Sequence, residues 1–100
     1  MPKLDFSVPH SLGKDEARSR LEVFADRVRA KYEGQVKDVK QSWEGDTLCF
    51  GFRTLGSNFD GRLTVEENRL AVDGSLPFAA MMFKGKIEST IREELERLMA

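Results

Sequence analysis

The last quarter of the chain is the feature that most constrains the fold. Apolar residues recur there at the spacing of one helix face, namely Ala80, Phe83, Ile87, Ile91, Leu95 and Leu98. Pro77 suits the first position of a helix, where its missing N–H costs nothing. A helix from Pro77 to Met99 would be about 33 Å long, and only a sheet built from the preceding residues could cover its apolar face. We therefore expect a long terminal helix packed on a sheet.

The preceding residues predict one more helix and five strands. Residues 3–8 alternate strictly between polar and apolar side chains, which is typical of a half-buried strand. A helix should follow a cap at Ser11 or Gly13 and end at Gly34. Its apolar stripe is Ala17, Leu21, Phe24, Ala25, Val28 and Tyr32. Residues 36–43, 47–55, 59–65 and 70–76 alternate again across short links, which predicts an antiparallel meander.

The predicted element order is β-α-β-β-β-β-α, and the predicted class is α+β. Because every strand is apolar on one face only, both helices should lie on that face. Gly51 and Gly61 fall inside strands, where glycine usually marks a bend or bulge. These features indicate a curved antiparallel sheet around a long C-terminal helix, formed by residues 1–100 as one domain.

Composition excludes several classes of partner. Sixteen basic and seventeen acidic side chains give a net charge of −1, so the bulk charge favours neither nucleic acid nor an anionic lipid surface. Trp43 has no companion aromatic residues in a basic groove, which argues further against single-stranded nucleic acid. The amino terminus lacks the apolar run of a signal peptide, and no stretch approaches the roughly 20 apolar residues of a transmembrane segment.

The chemistry-bearing residues form no recognisable catalytic set. Cys49 is the single cysteine, which fits a reducing cytosol and leaves no disulfide or CxxC metal pair. It falls on the polar face of a strand and is read as an inert small residue. His10 is the single histidine and is read as a turn residue that shapes the start of the first helix, with a lone catalytic base as the alternative. We expect no catalytic residue, no metal and no cofactor.

An apolar surplus at the start of the terminal helix is the most unusual feature. Phe78 and Met82 are four residues apart and point away from the core stripe, and Met81 lies to one side. Exposed Met and Phe side chains are typical of adaptable contact surfaces. Val23 of the first helix could extend this surface. Alternatively, Phe78 precedes the helix and packs under the last strand.

Several short motifs together resemble a known family. They are His10-Ser-Leu-Gly13 followed by Glu16-Ala17 and Arg20, Trp43-Glu-Gly-Asp46 with Leu48 and Phe50, Gly61-Arg-Leu-Thr-Val65, and the closing helix from Lys84 to Leu98. In this order they resemble the polyhydroxyalkanoic acid system proteins. The resemblance implies an association with polyhydroxyalkanoate granules or their metabolism in the bacterial cytoplasm, and it implies no catalytic residue. A looser likeness is to the helix-grip shape of START-like lipid-binding domains.

Three functional hypotheses follow. The first is a non-enzymatic accessory protein that contacts a polyester granule surface, or a granule-bound protein, through Phe78, Met81 and Met82. The second is a carrier or enzyme that holds an acyl or hydroxyacyl ligand between helix and sheet. Its cavity would be lined by Phe50, Phe52, Leu63, Phe83 and Ile87, with Glu94 or His10 near its mouth. Glu94 falls within the apolar stripe of the terminal helix; alternatively, it lies at the rim of the sheet and reaches water. The third is a homodimer closed by the same apolar residues.

Overall fold

The computed structural model describes residues 3–54 and 56–100. In chain order its elements are β1 (Lys3–Pro9), α1 (Lys14–Tyr32), β2 (Lys37–Glu44), β3 (Thr47–Thr54), β4 (Ser57–Val65), β5 (Arg69–Ser75), a 3-10 helix (Phe78–Phe83) and α2 (Lys84–Met99). Leu55, predicted as the last residue of the third strand, lies outside the described residues.

The five strands form one antiparallel sheet in the order β1-β5-β4-β3-β2. The last four strands form the predicted meander, because each of their links is long enough only for a hairpin. β1 pairs with β5, and the register places Phe6, Val72, Leu63 and Leu48 side by side across four strands. Since side chains alternate between faces, this register puts all of the apolar positions on one side of the sheet.

Both helices cover that apolar side. Ala17 and Leu21 of α1 and Leu95 and Met99 of α2 are buried in one cluster with the inward side chains of the sheet. The strand members of this cluster are Phe6, Val8, Leu48, Leu63, Val65, Leu70 and Val72. The predicted α+β class, with the β-α-β-β-β-β-α order and both helices on one face, is confirmed.

The two ends of the sheet, called the near end and the far end, are defined by the turns that they carry. The near end carries the turn at Gly45 and Asp46, between β2 and β3. The far end carries the turn at Gly56, between β3 and β4, together with the end of β5. α1 begins at the near end, where Lys14 Nζ lies 3.1 Å from Asp46 Oδ2, and runs toward the far end.

α2 runs in the opposite direction to α1. The carbonyl oxygen of Leu98, near the end of α2, and that of Ala100, the residue after α2, accept hydrogen bonds of 3.1 and 2.8 Å from Arg20 in the first half of α1. Arg92, one turn before the buried part of α2, donates to the backbone of Ser7 in β1 at 3.2 Å. The start of α2 and the 3-10 helix before it therefore lie at the far end, where β5 ends.

The terminal α-helix is shorter than the apolar repeat predicts. α2 begins at Lys84 and has 16 residues, which makes it about 24 Å long. The six preceding residues form a 3-10 helix instead, which opens with a hydrogen bond of 2.9 Å from Ala80 N–H to the carbonyl of Pro77. None of these six side chains is buried. Helices in proteins are stabilised mainly by packing of an apolar face. Because these six residues bury no side chain, packing does not favour an α-helix over a 3-10 helix in this segment.

Burial along α1 decreases toward the far end. Of the predicted stripe, Ala17 and Leu21 are buried and Phe24 packs against the core, whereas Val28 and Tyr32 are exposed. The periodicity was correct for a helix, but it did not indicate how far the sheet and α2 extend beneath that helix.

α2 shows the complementary pattern, with burial concentrated at its carboxyl end. Leu95 and Met99 are buried, and Ile91 and Leu98 pack beside them. Phe83, predicted for the core stripe, is 59% exposed. Met99 was not predicted as a core residue. The well-packed part of the molecule is therefore the first half of α1 against the second half of α2.

The one irregularity of register among the described strand pairs lies in β2. The pairing is regular at Gly51 and Gly61, which were predicted to mark a bend or bulge. Pairing of β3 with β4 continues through Gly51 and Gly61. The shift occurs between Lys37 and Lys40, and Asp38 there has a φ of 52°. A bulge on an edge strand hinders pairing with a strand of another chain.

Gly61 serves close packing inside the sheet. A Cβ at this position would lie 2.6 Å from Cζ of Phe50, a distance that real Cβ atoms do not adopt. The Phe50 ring therefore lies directly over Gly61 and covers this part of the helix-facing surface. Gly74 is constrained in a similar way, because its Cβ would lie 2.7 Å from the carbonyl oxygen of Asp60.

Candidate functional site

The 3-10 helix, Phe78–Phe83, presents large apolar side chains to solvent, and we call it the apolar segment. Phe78 is 70% exposed, Met81 52% and Met82 89%. Phe78 therefore does not pack under the last strand, which was the alternative interpretation. A single exposed apolar residue is ordinary, whereas four large ones within six residues are unusual on a protein surface and are typical of contact surfaces.

The 3-10 geometry distributes these side chains around the segment. In a 3-10 helix, side chains three residues apart eclipse each other. Phe78 therefore shares an edge with Met81, Ala79 with Met82, and Ala80 with Phe83. Each of the three sides of the 3-10 helix therefore carries at least one large apolar side chain. No rotation of the segment about its own axis could bury all of them at once.

Further apolar side chains lie at the same end of the sheet. Phe52 and Phe59 are paired across β3 and β4, and their half-buried rings stack with centroids 5.2 Å apart. Val28 and Tyr32, in the second half of α1, are exposed. Together with the apolar segment these residues make the far end the apolar end of the molecule, whereas the near end is closed by packed helices.

Val23, suggested as an extension of the contact surface, lies elsewhere. It is 58% exposed and lines a shallow groove with Arg20, Phe24 and Leu98. Leu98 is near the carboxyl end of α2, about 20 Å along the helix from the apolar segment. Val23 therefore belongs to the near half and is not part of this surface.

His10 is a structural residue that ties two loops together at the near end. The backbone N–H of Leu12 donates to Nδ1 at 3.2 Å, and Nε2 lies 3.0 Å from the carbonyl oxygen of Glu66. Since Nδ1 accepts, Nε2 carries the proton and donates to Glu66. The interpretation as a turn residue at the start of α1 is confirmed by these contacts. Both ring nitrogens are therefore engaged in hydrogen bonds within the fold.

Replacing His10 with Ala should lower stability through the loss of these two hydrogen bonds. Each is worth roughly 0.5–1.5 kcal/mol, so we expect the free energy of unfolding to fall by about 1–3 kcal/mol. Urea denaturation followed by Trp43 fluorescence would measure this. Asn at position 10 can still accept from Leu12 and should recover part of the loss, and equal stability of all three proteins would contradict the assignment.

The motif Trp43–Asp46 fastens the start of α1 to the sheet. The guanidinium of Arg18 lies 4.3 Å from the centre of the Trp43 ring and donates to the carbonyl of Gly45 at 2.8 Å and to Asp46 Oδ1 at 3.1 Å. The hydrogen bond from Lys14 is the largest influence on the pKa of Asp46, and together with the charge of Lys14 and the hydrogen bond and charge of Arg18 it lowers this pKa below its ordinary value, against the opposing effect of desolvation. This motif, which carries part of the family resemblance, is thus a structural clamp.

The Asp46 clamp should make stability depend on pH in the acid range. A carboxyl group whose pKa is lowered on folding stabilises the folded state above its unfolded pKa, and this contribution is lost as the pH falls through the folded pKa. We therefore expect Asp46→Asn to be less stable than wild type near neutral pH and the difference to shrink below about pH 4. Urea midpoints at several pH values would test this, and a difference independent of pH would contradict it.

The residues predicted for a ligand cavity are distributed between two regions. Phe50, Phe52 and Leu63 share the helix-facing side of β3 and β4, with Leu63 buried in the core. Ile87 of α2 is half-buried, but Phe83 is exposed. Glu94 is also exposed and pairs with Arg97 at 2.9 Å, so it reaches water at the rim. The cavity itself stays a prediction.

Two depressions of the surface lie away from those residues, with the exception of Phe50. One is the groove beside Val23. The other is a wide, open area on the polar face of the sheet, bordered by Asp5, Cys49, Arg62 and Asp73 among others. Cys49 Sγ lies 3.7 Å from a carboxylate oxygen of Glu44, a contact that does not activate a thiol. In residues 3–54 and 56–100, no three His, Cys, Asp or Glu side chains are grouped as a metal site requires.

Fold and surface together define a small α+β protein with an open antiparallel sheet, helices on one face and an apolar segment exposed at one end. The chain belongs to the family described as Putative polyhydroxyalkanoic acid system protein, whose model matches residues 4–99. No curated protein and no solved structure matches the chain significantly. Among the described residues, neither helix combines the length and apolar character needed to cross a bilayer.

Proposed function

We propose that this protein is a non-enzymatic accessory protein of the bacterial cytoplasm that attaches to polyhydroxyalkanoate granules through its apolar segment. The observation that carries this proposal is the exposure of Phe78, Met81 and Met82 on a segment with no buried side chain. Membership of the polyhydroxyalkanoic acid system family supports the choice of granules as the surface.

The chemistry of a polyester surface suits this segment. Such a surface presents alkyl groups and ester oxygens, and it has no hydrogen-bond donors of its own. Flexible Met side chains and a Phe ring can pack against an irregular alkyl surface without a preformed pocket. Each fully covered side chain would contribute about 1.5–3 kcal/mol, so a few of them are enough for reversible attachment.

Co-sedimentation with isolated granules, combined with amide hydrogen exchange, would test the proposal. The purified protein should sediment with granules, and residues 78–83 should gain protection in the bound state. The exchange of β4 and β5, which form the centre of the sheet, serves as an internal control because it should not change. Protection confined to another surface, or no sedimentation, would contradict the proposal.

A second candidate function is the binding of a small acyl or hydroxyacyl ligand at the far end. It is favoured by the half-buried, stacked rings of Phe52 and Phe59 on the helix-facing side of the sheet. Native mass spectrometry of gently purified protein would distinguish the two candidates. A retained apolar adduct on a single chain would favour the ligand, and a bare chain would favour surface contact. A bare dimer would show that a second copy occupies the apolar end.

A further inference from the structure

The charges of this molecule are segregated, although the net charge is only −1. The ion pairs of the described residues engage Lys14, Arg18, Arg20, Arg69, Arg92 and Arg97. These side chains belong to the near half or to the polar flank of α2. Toward the far end, the basic side chains that have no carboxylate within 4.0 Å in the described part of the chain are Lys3, Arg29, Lys31, Lys37, Lys40, Arg53, Lys84 and Lys86. Arg27 and Arg62, nearer the middle of the molecule, have no such partner either.

Two of these cations stand where local electrostatics disfavours them. Lys84 and Lys86 occupy the first turn of α2, and this turn contains no acidic residue. The amino end of a helix carries a partial positive charge and is stabilised by anions. Two lysines at this position are therefore placed at a cost to the helix, directly after the apolar segment.

A second local conflict occurs at the same end of the sheet. Lys37 lies directly opposite Arg53 in the pairing of β2 with β3. Like charges at directly opposed positions of an antiparallel pair destabilise it. The acidic residues of this end, which are Glu33, Asp38, Asp60 and Glu88, are fewer than its cations, and of these four only Glu88 forms an ion pair in the described structure, with Arg92. The far end consequently carries both the exposed apolar segment and an excess of unpaired cations.

From this juxtaposition of the exposed apolar segment with Lys84 and Lys86, we infer that the far end binds an anionic phospholipid surface. Apolar side chains that enter the acyl region beside cations that meet the headgroups are the two components of interfacial binding. A bare polyester has no charge for these lysines to meet. An acidic protein partner fits less well, because the apolar side chains protrude from an end of the molecule and do not line a groove.

This inference rests on the proposed function in using the same apolar segment, and it adds a requirement for anionic charge at the bound surface. The net charge of the chain argued against binding to anionic lipid. It is a sum over all charged side chains, however, and does not distinguish those in ion pairs from those that are unpaired. Attraction to a surface depends on the charges within about 10 Å of it, the range over which salt leaves them effective.

Vesicle binding tests the inference directly. Phosphatidylcholine vesicles with and without phosphatidylglycerol would be titrated with the wild-type protein and with the double variant Lys84→Gln and Lys86→Gln. Each lysine near an anionic surface changes affinity by about five-fold, so the double variant should bind the phosphatidylglycerol vesicles about 25-fold more weakly. Binding of the wild type should also fall as salt is added.

A matched control removes the same amount of charge from the near half. Arg69 and Arg97 are exposed and paired with Glu66 and Glu94, and their replacement by Gln should leave vesicle binding unchanged. Neither lysine of α2 has an ion pair to lose, so the test variant should fold as well as wild type. Equal loss in both double variants would show a non-specific charge effect and would overturn the inference.

A lipid-free polyester film separates this inference from the proposed function. Retention of the protein on the film without preference for phosphatidylglycerol vesicles would overturn the inference and leave granule attachment standing. Binding to anionic vesicles but not to the film would support the inference and refute direct contact with polyester. Binding to neither surface would refute both.

Discussion

Replacing Phe78 and Met82 together with serine is expected to weaken binding to polyester granules by at least about 100-fold. Each side chain contributes about 1.5–3 kcal/mol when fully covered, and about 1.4 kcal/mol corresponds to a ten-fold change in affinity. Both side chains are largely exposed, so the substitutions should change the free energy of unfolding by no more than about 0.5 kcal/mol. Co-sedimentation and thermal unfolding of the same preparation would measure both quantities.

Val23 provides the matched control for this experiment. It is also an exposed apolar side chain, but it lies in the groove beside Leu98, far from the apolar segment. Val23→Ser should therefore leave granule binding intact. A sharp fall of the melting temperature in the Phe78 and Met82 variant would show that these residues belong to the core. Unchanged binding would show that another surface makes the contact.

The second large effect is expected at Leu95, the residue that holds α2 on the sheet. Leu95 is buried among both helices and the sheet, and truncation of a buried Leu to Ala costs about 2–5 kcal/mol. For a chain of this size the melting temperature should fall by at least about 8 °C. Calorimetry or urea denaturation would detect a change of this size.

Leu98 is the comparison for Leu95, because it lies on the same helix but is only partly buried. Leu98→Ala should cost distinctly less, since part of its surface already contacts water. Equal costs at the two positions would contradict the described packing of α2. The comparison also bears on function, because α2 holds the apolar segment in place at the far end.

The two effects depend on different halves of the molecule. The near half, with the Asp46 clamp, the His10 bridge and the buried faces of both helices, supplies the stability. The far half leaves the apolar segment, Val28 and Tyr32 in contact with solvent. Such a protein can expose an apolar end and still remain folded, because the exposed residues contribute little to its free energy of unfolding.

The fold could be predicted from the sequence because the spacing of apolar residues within each segment indicates its secondary structure and its buried face. Alternation with period two identified every strand, and spacing near 3.6 identified both helices and the direction of their apolar faces, but not how much of each face is buried. The helical spacing also predicted that Phe78 and Met82 point away from the core, and both are exposed. They lie on a 3-10 helix, however, where the α-helical spacing does not apply. The family could be recognised from short turn motifs, which the structure shows to be a helix clamp and a loop bridge.

The tertiary structure decided where packing ends and what the surface carries. The start of α2 at Lys84, the exposure of Phe83 and the solvation of Tyr32 depend on how far the sheet and the partner helix extend, which local periodicity does not encode. The contacts of His10 with Glu66 and of Lys14 with Asp46 join residues far apart in the chain. Two long-range ion pairs to Asp46, together with local pairs at i,i+3 and i,i+4 spacing, engage the cations of the near half, whereas Lys84 and Lys86 have no such partner in the described structure. Sequence therefore determined which faces are apolar, and only the assembled fold determined which of them meets water.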